Sequence, residues 1–177
     1  GSDMFKYHTN PNSNYIVFNP QNFQQVAPIE MYRAPEKLLY RFISSQLVFA
    51  YDDKQTLSLN SCNIVIPKIE GMQIKYILAI LNSSVSQFVY QKEFHSIKVL
   101  RAHMEHIPIP RVGKAIQNEI IAMTEPLICG MGKEAAETCQ KRLQNHGFVP
   151  VIRGGTVDHP ACFTLTYKGQ KCTKRQK

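Results

Sequence analysis

No stretch of the 177 residues approaches the ~18 consecutive apolar residues needed to cross a bilayer, and no secretory leader opens the chain. The cysteines, Cys62, Cys129, Cys139, Cys162 and Cys172, are odd in number and lack the spacing of a disulfide framework. That pattern fits a reducing cytoplasm. His159 and Cys162 lie near Cys139, His146 and Cys172, but paired C-x-x-C or H-x-x-x-H hairpins are missing, so a structural zinc site is not expected. Gly130-Met131-Gly132 and Gly154-Gly155 lack the strand–loop–helix frame and the following acid of a phosphate-cradling loop. Asp52, Asp53, Glu93, Glu105 and Asp158 form no nuclease-like set with a neighbouring lysine, and Asp52-Asp53 reads as a turn. No Ser/His/Asp arrangement stands out, and His95, His103 and His106 read as surface histidines around an extended segment. With no catalytic and no metal-binding residue to name, the residues describe a binding module rather than an enzyme.

The chain does hold a core's worth of apolar residues, 44%, and a net charge of +8. The charge is uneven. Residues 1–130 carry 12 Lys/Arg against 10 Asp/Glu, and residues 131–177 carry 9 against 3. A basic chain suggests a polyanionic partner. Most of the excess, however, sits in the tail around Lys168, Lys171, Lys174, Arg175 and Lys177, where a solvated terminus is the usual explanation. Gly1-Ser2-Asp3-Met4 reads as the remnant of a cleaved tag, and the chain as a piece of a longer protein.

The organising stretch is Leu47–Pro67. Val48, Phe49, Ala50 and Tyr51 suit a buried strand, Asp52–Gln55 a tight turn, and Thr56–Pro67 one or two further strands that Pro67 ends. Leu38–Ile43 is a candidate partner for Leu47–Tyr51, Tyr15–Phe18 a short strand, and 28–36 an irregular link. Ile74, Ile77, Leu78 and Leu81 predict a helix over 72–82. Asn82-Ser83-Ser84 closes it and can cap a second helix, in which Val85, Phe88, Val89 and Lys92 repeat the helical spacing. Residues 97–110 read as extended, and Ala115–Ile128 as a helix facing the core through Ile116, Ile120, Met123 and Leu127. Beyond it, Glu134–Asn145 reads as helix, and Val149–Ile152 and Phe163–Tyr167 as strands. The expected fold is α+β: a twisted, mostly antiparallel sheet with two or three packed helices over residues 5–128, then a basic extension, 129–177, of unassigned role.

Several ordered motifs carry a resemblance. They are K-L-x-x-R-F-I (Lys37–Ile43), F-A-Y-D (Phe49–Asp52), L-N-S-x-x-x-x-I-P (Leu59–Pro67), Y-x-L-A-x-L-N-S (Tyr76–Ser83), K-V-L-R (Lys98–Arg101) and I-P-I-P (Ile107–Pro110). From about residue 5 to 125 the chain resembles the TaqI-like C-terminal specificity domain. That family supplies the target-recognition domain of adenine-N6 DNA methyltransferases and of fused restriction–modification enzymes. The resemblance implies sequence-specific binding of double-stranded DNA, docking to an N-terminal methyltransferase domain of the same chain, and no membrane. It implies no cofactor in this segment. S-adenosylmethionine would belong to the catalytic half, whose glycine motif and Asn-Pro-Pro-Tyr-type loop do not occur here.

Under that reading the candidate DNA-binding residues are Lys37, Arg41, Lys54, Gln55, His95, Lys98 and Arg101. Lys37 and Arg41 share a strand face with Leu39, as a DNA-facing basic edge or as plain solvent-facing charges. Lys54 and Gln55 occupy a turn that could probe a groove or simply be polar. His95–Arg101 forms a basic loop beside the helix pair, a natural phosphate grip. Phe49, Tyr51, Tyr76, Phe88 and Tyr90 read as core aromatics, and Asn60 as an amide satisfying nearby backbone. The competing class is a protein-interaction module whose helices dock a partner without reading DNA.

Overall fold

The two apolar runs flanking residues 42–47 pair with each other. In a computed structural model that describes residues 3–10, 15 and 17–130, with the strand backbones 148–152, 163–167 and 170–171, β1 (Lys37–Arg41) and β2 (Phe49–Asp52) are antiparallel. Leu38 lies opposite Tyr51, and Tyr40 opposite Phe49. β3 (Cys62–Val65) pairs with the other side of β1, Leu39 opposite Ile64, giving the order β2-β1-β3. The fold class is α+β, with this antiparallel sheet and five helices in the same unit. Thr56–Ser61 is not strand; it ends in a turn closed by Cys62 N–H on Leu59 O at 2.8 Å. Tyr15, Val17 and Phe18 are also outside any strand, Tyr15 and Val17 being highly exposed, because no sheet edge reaches them.

The helices are α1 (Ile29–Tyr32), α2 (Ile74–Leu81), α3 (Ser84–Glu93), α4 (Arg101–Glu105) and α5 (Lys114–Ile128). Gly71, at φ +75°, takes the left-handed turn before α2 that other residues avoid. Ser83 caps α3 as expected, its Oγ accepting Ser86 N–H at 3.1 Å. The α4 turn replaces the extended reading of 97–110. Pro108 and Pro110 bar helix only in their own vicinity and leave 101–105 free to coil.

α2 buries the predicted face, Ile77, Leu78 and Leu81, against β1 and β2. For α3 and α5 the predicted faces are only partly inward: Val89 is half-buried and Ile120 packs against the core, but the other predicted positions are exposed. Val85 and Phe88 face solvent on α3, while Ser86 and Tyr90 are buried. Ile116, Met123 and Leu127 are exposed on α5, while Gln117, Ile121, Ala122 and Thr124 are buried. The reason is hydrogen bonding. Ser86 Oγ donates to Ile80 O at 2.6 Å. Gln117 accepts from Gln73 N–H (2.9 Å) and donates to Gly71 O (2.9 Å) and Val112 O (3.0 Å). Polar groups so satisfied enter a core at little cost. Lys75 adds a tie between α2 and α5, its Nζ 2.5 Å from Glu125 Oε1 and 4.8 Å from the Tyr51 ring centre.

Both sheet faces are covered. Leu38, Tyr40, Phe49 and Tyr51 turn toward α2. On the opposite face Lys37 meets Tyr32 O and Arg41 meets Met4 O. The free edge of β2 is closed as well. Tyr7 pairs with it through Tyr7 N–H to Phe49 O (2.6 Å) and Tyr51 N–H to Tyr7 O (3.0 Å). The Asn82 amide then imitates a peptide, accepting from Phe49 N–H (3.0 Å) and donating to Phe49 O (2.8 Å). An open edge would invite pairing with another chain.

The chain divides into two compact units, Gly1–Gly130 and Met131–Lys177. In the second, β4 (Phe148–Ile152), β5 (Phe163–Tyr167) and β6 (Gln170–Lys171) form an antiparallel sheet in that order, so both predicted strands are present. The helix expected at Glu134–Asn145, and Cys139, His146, His159, Cys162 and Cys172, lie outside the described residues. No helix among the described residues is long and apolar enough to cross a membrane.

Asn82→Ala should leave both polar groups of the buried Phe49 peptide without their side-chain partner and lower stability by about 1–3 kcal/mol. Urea unfolding measures this, and an unchanged midpoint would show that the amide does not close the edge.

Candidate nucleic-acid interface

The seven candidate residues fall at opposite ends of the sheet. Lys37 begins β1, and Lys54 and Gln55 follow the end of β2 beside it. At the other end the chain continues from Arg41 into Phe42, Ile43 and Ser44, where residues 97–99 pair with it. Val99 N–H donates to Phe42 O and Ser44 N–H to Ile97 O, each at 2.8 Å. Lys98, opposite Ile43, is thereby held on ordered backbone with an exposed side chain. The strand between the two groups rises about 3.3 Å per residue over Lys37–Arg41, so the groups do not share one small patch.

Lys37 is not a surface residue. It is 0% exposed, its Nζ lying 2.5 Å from Asp52 Oδ2 and donating to Tyr32 O at 2.9 Å. Alternation put it on the right face with Leu39, but the Met4 and Tyr32 segments cover that face, so it offers nothing to a phosphate. Asp52 is equally structural. Its oxygens accept Thr56 N–H (2.9 Å) and Thr56 Oγ (2.6 Å) as well as Lys37, which builds the 52–56 turn. Burial alone would raise the Asp52 carboxyl. The hydrogen bonds and charge of Lys37, with those of Thr56, outweigh it and hold the group below its ordinary value.

Arg41 is half-buried and donates to Met4 O; its Nε is buried with no partner among the described residues. Lys54 is exposed. Gln55 is exposed too, but its amide N–H donates to Arg33 O at 3.2 Å, and its backbone is left-handed at φ +55°. Arg101 is exposed and pairs along α4 with Glu105 at 2.7 Å. An exposed pair of this kind contributes little and gives way readily to a phosphate. His95 is exposed. His103 and His106, read from the sequence as surface histidines around an extended segment, converge on Phe94: the His103 ring stacks on it at 4.2 Å and His106 meets it edge-on at 6.0 Å. Helical spacing of three residues on α4 brings them to one side. His103 Nδ1 also accepts Leu100 N–H at 3.4 Å, a weak cap.

Sequence reasoning placed Phe49, Tyr51, Tyr76 and Tyr90 correctly in the core and misplaced Phe88, which is 60% exposed. Asn60 is exposed and makes no side-chain hydrogen bond among the described residues, so it does not satisfy the local backbone. Among the described residues no group of three or more His, Cys, Asp or Glu could hold a metal. The Cys62 thiol is pushed up to about 11 by burial, the reverse of an activated nucleophile.

Asp52→Asn should strand a buried ammonium and cost about 3–5 kcal/mol. Because the folded carboxyl titrates below its ordinary value of about 3.9, its contribution is complete above that pH and lost as pH falls below it. Urea midpoints from pH 7 to pH 2 should therefore drop more steeply for the parent chain than for Asp52→Asn. Parallel acid profiles would contradict this.

The sequence profile of the TaqI-like C-terminal specificity domain matches residues 1–109, which takes in β1 to β3, α1 to α4 and the Lys98–Arg101 segment. The match ends before α5, short of the extent that the motifs suggested. No curated protein is significantly similar to the chain.

Proposed function

The chain belongs to the TaqI-like C-terminal specificity domain family, and from that membership we propose that it reads duplex DNA on behalf of an adenine-N6 methyltransferase. The observation that carries the reading is the Lys98–Arg101 segment. It lies inside the matched region; Lys98 is exposed on backbone paired to residues 42–44 just beyond β1, and Arg101 is exposed at the start of α4. Lys98 and Arg101, with His95 and the outer part of Arg41, serve as the phosphate grip at one end of the sheet. Lys54, with Gln55, serves at the other. Lys37 is left out because its charge is used internally. Two well-separated basic ends suit a duplex lying across the domain, with phosphate contacts setting register and base contacts setting sequence.

Methyl transfer and S-adenosylmethionine binding belong, on this reading, to a catalytic domain of the parent protein. Calorimetry with S-adenosylmethionine and this chain should show no binding; a micromolar isotherm would overturn the division of labour. The exposed apolar side chains Val85 and Phe88 on α3, and Ile116, Met123 and Leu127 on α5, favour a second, compatible role in docking that catalytic domain.

The test is the salt dependence of duplex binding. Each phosphate contact contributes about 0.9 to the slope of log K against log salt. Lys98→Ala with Arg101→Ala should flatten the slope by about 2 and weaken all duplexes alike. A slope unchanged in that variant would remove the segment from the interface, and binding insensitive to salt would favour the docking role alone.

A further inference from the structure

The end of the sheet that carries Lys98 also carries an open cleft of about 430 Å³. One wall is the segment before β1, with Asn22, Gln24 and Gln25; the other is the turn before β3, with Leu59, Asn60 and Ser61; Phe23 lies between them. Both walls are anchored. Phe18 stacks on Phe23 at 5.7 Å and meets the buried Tyr32 ring edge-on at 5.5 Å. Tyr32 in turn accepts Ala27 N–H at 3.2 Å. On the other side Ser61 O accepts Phe42 N–H at 3.2 Å. Phe42 O is the same group that takes Val99 N–H, so the cleft wall and the basic segment hang from one residue.

The lining is chemically narrow. Among the described residues no charged residue lines the cleft, and a phosphate site calls for cations. Four carboxamides do face it, and among the described residues none of them has a side-chain hydrogen-bond partner. A carboxamide offers a donor and an acceptor side by side, the complement of adenine's N6–H and N7 in the major groove. We infer that Asn22, Gln24, Gln25 and Asn60 form the base-reading site of this domain, selecting an adenine-containing step while Lys98 and Arg101 hold the adjacent phosphates. The inference rests on the duplex-binding reading above and deepens it by naming where sequence is read.

The test uses the full chain on a randomised duplex library, followed by anisotropy titrations on the selected and on scrambled duplexes. The variants are Asn22→Ala/Gln24→Ala/Gln25→Ala and, separately, Asn60→Ala. All four side chains are exposed, so thermal melts should match the parent. The parent should select A·T-containing sites. Each lost bidentate contact should reduce its preference for them roughly 5- to 150-fold, with affinity for scrambled duplexes and the salt slope unchanged. Variants that keep the parent's preference, or that weaken selected and scrambled duplexes equally, would overturn the cleft assignment and leave duplex binding standing. A parent that binds duplex with no sequence preference does the same. Only a parent that shows no salt-dependent duplex binding overturns both.

Discussion

A buried ammonium–carboxylate contact, Lys37 with Asp52, pins the central pair of strands. The two residues sit directly opposite each other at one end of the β1–β2 ladder, so their contact fixes register. A shift by one position would bury a bare charge, which costs several kcal/mol. The same carboxylate gathers Thr56 and shapes the turn that displays Lys54 and Gln55. Tyr32 O accepts from the Lys37 ammonium and draws the α1 segment over the sheet. One ion pair therefore sets the register, the turn and the covering of a face. Its burial takes the first basic residue of the K-L-x-x-R-F-I motif out of reach of any ligand.

With both faces of the sheet covered, and the β2 edge closed by Tyr7 and Asn82, a long ligand is left with the ends of the strands, the outer edge of β3 and the outer helix surfaces. One end gathers the Lys98–Arg101 segment and the amide cleft around Phe42. The other displays the 52–56 turn. Rigid pairing beneath exposed polar side chains lets such ends vary in sequence while the core stays put, which suits a recognition domain. The outer faces of α3 and α5 are apolar and belong to a different kind of contact.

On the helix faces, the errors of sequence reasoning share one cause. Apolar periodicity in α3 and α5 pointed to Val85 and Phe88 and to Ile116, Met123 and Leu127 as core. The core took Ser86 and Gln117 instead, because Ile80 O, Gly71 O, Val112 O and Gln73 N–H stood ready to satisfy them. Hydropathy treats a glutamine as a surface residue, yet a glutamine with three partners is a good core residue. The turn at Arg101–Glu105, which brings His103 and His106 together, has a different cause: Pro108 and Pro110 bar helix only near themselves and have no reach upstream.

The sequence by itself determined the fold class, the β1–β2 partnership, the helix at 74–81, the Ser83 cap and, through its ordered motifs, the family. These rest on local chemistry: alternation, 3.6-residue periodicity, capping and the spacing of conspicuous residues. Only the tertiary structure decided that Lys37 is internal, that Asn82 stands in for a strand, that Ser86 and Gln117 face inward while Phe88 and Met123 face out, and that Asn22, Gln24, Gln25 and Asn60 meet around one cleft. Most of the deciding partners lie about 15 to 45 residues away in the chain, Ile80 for Ser86 and Val112 for Gln117 being nearer. Whether a polar group is satisfied or exposed is settled by those distant neighbours, and no local window of sequence contains them.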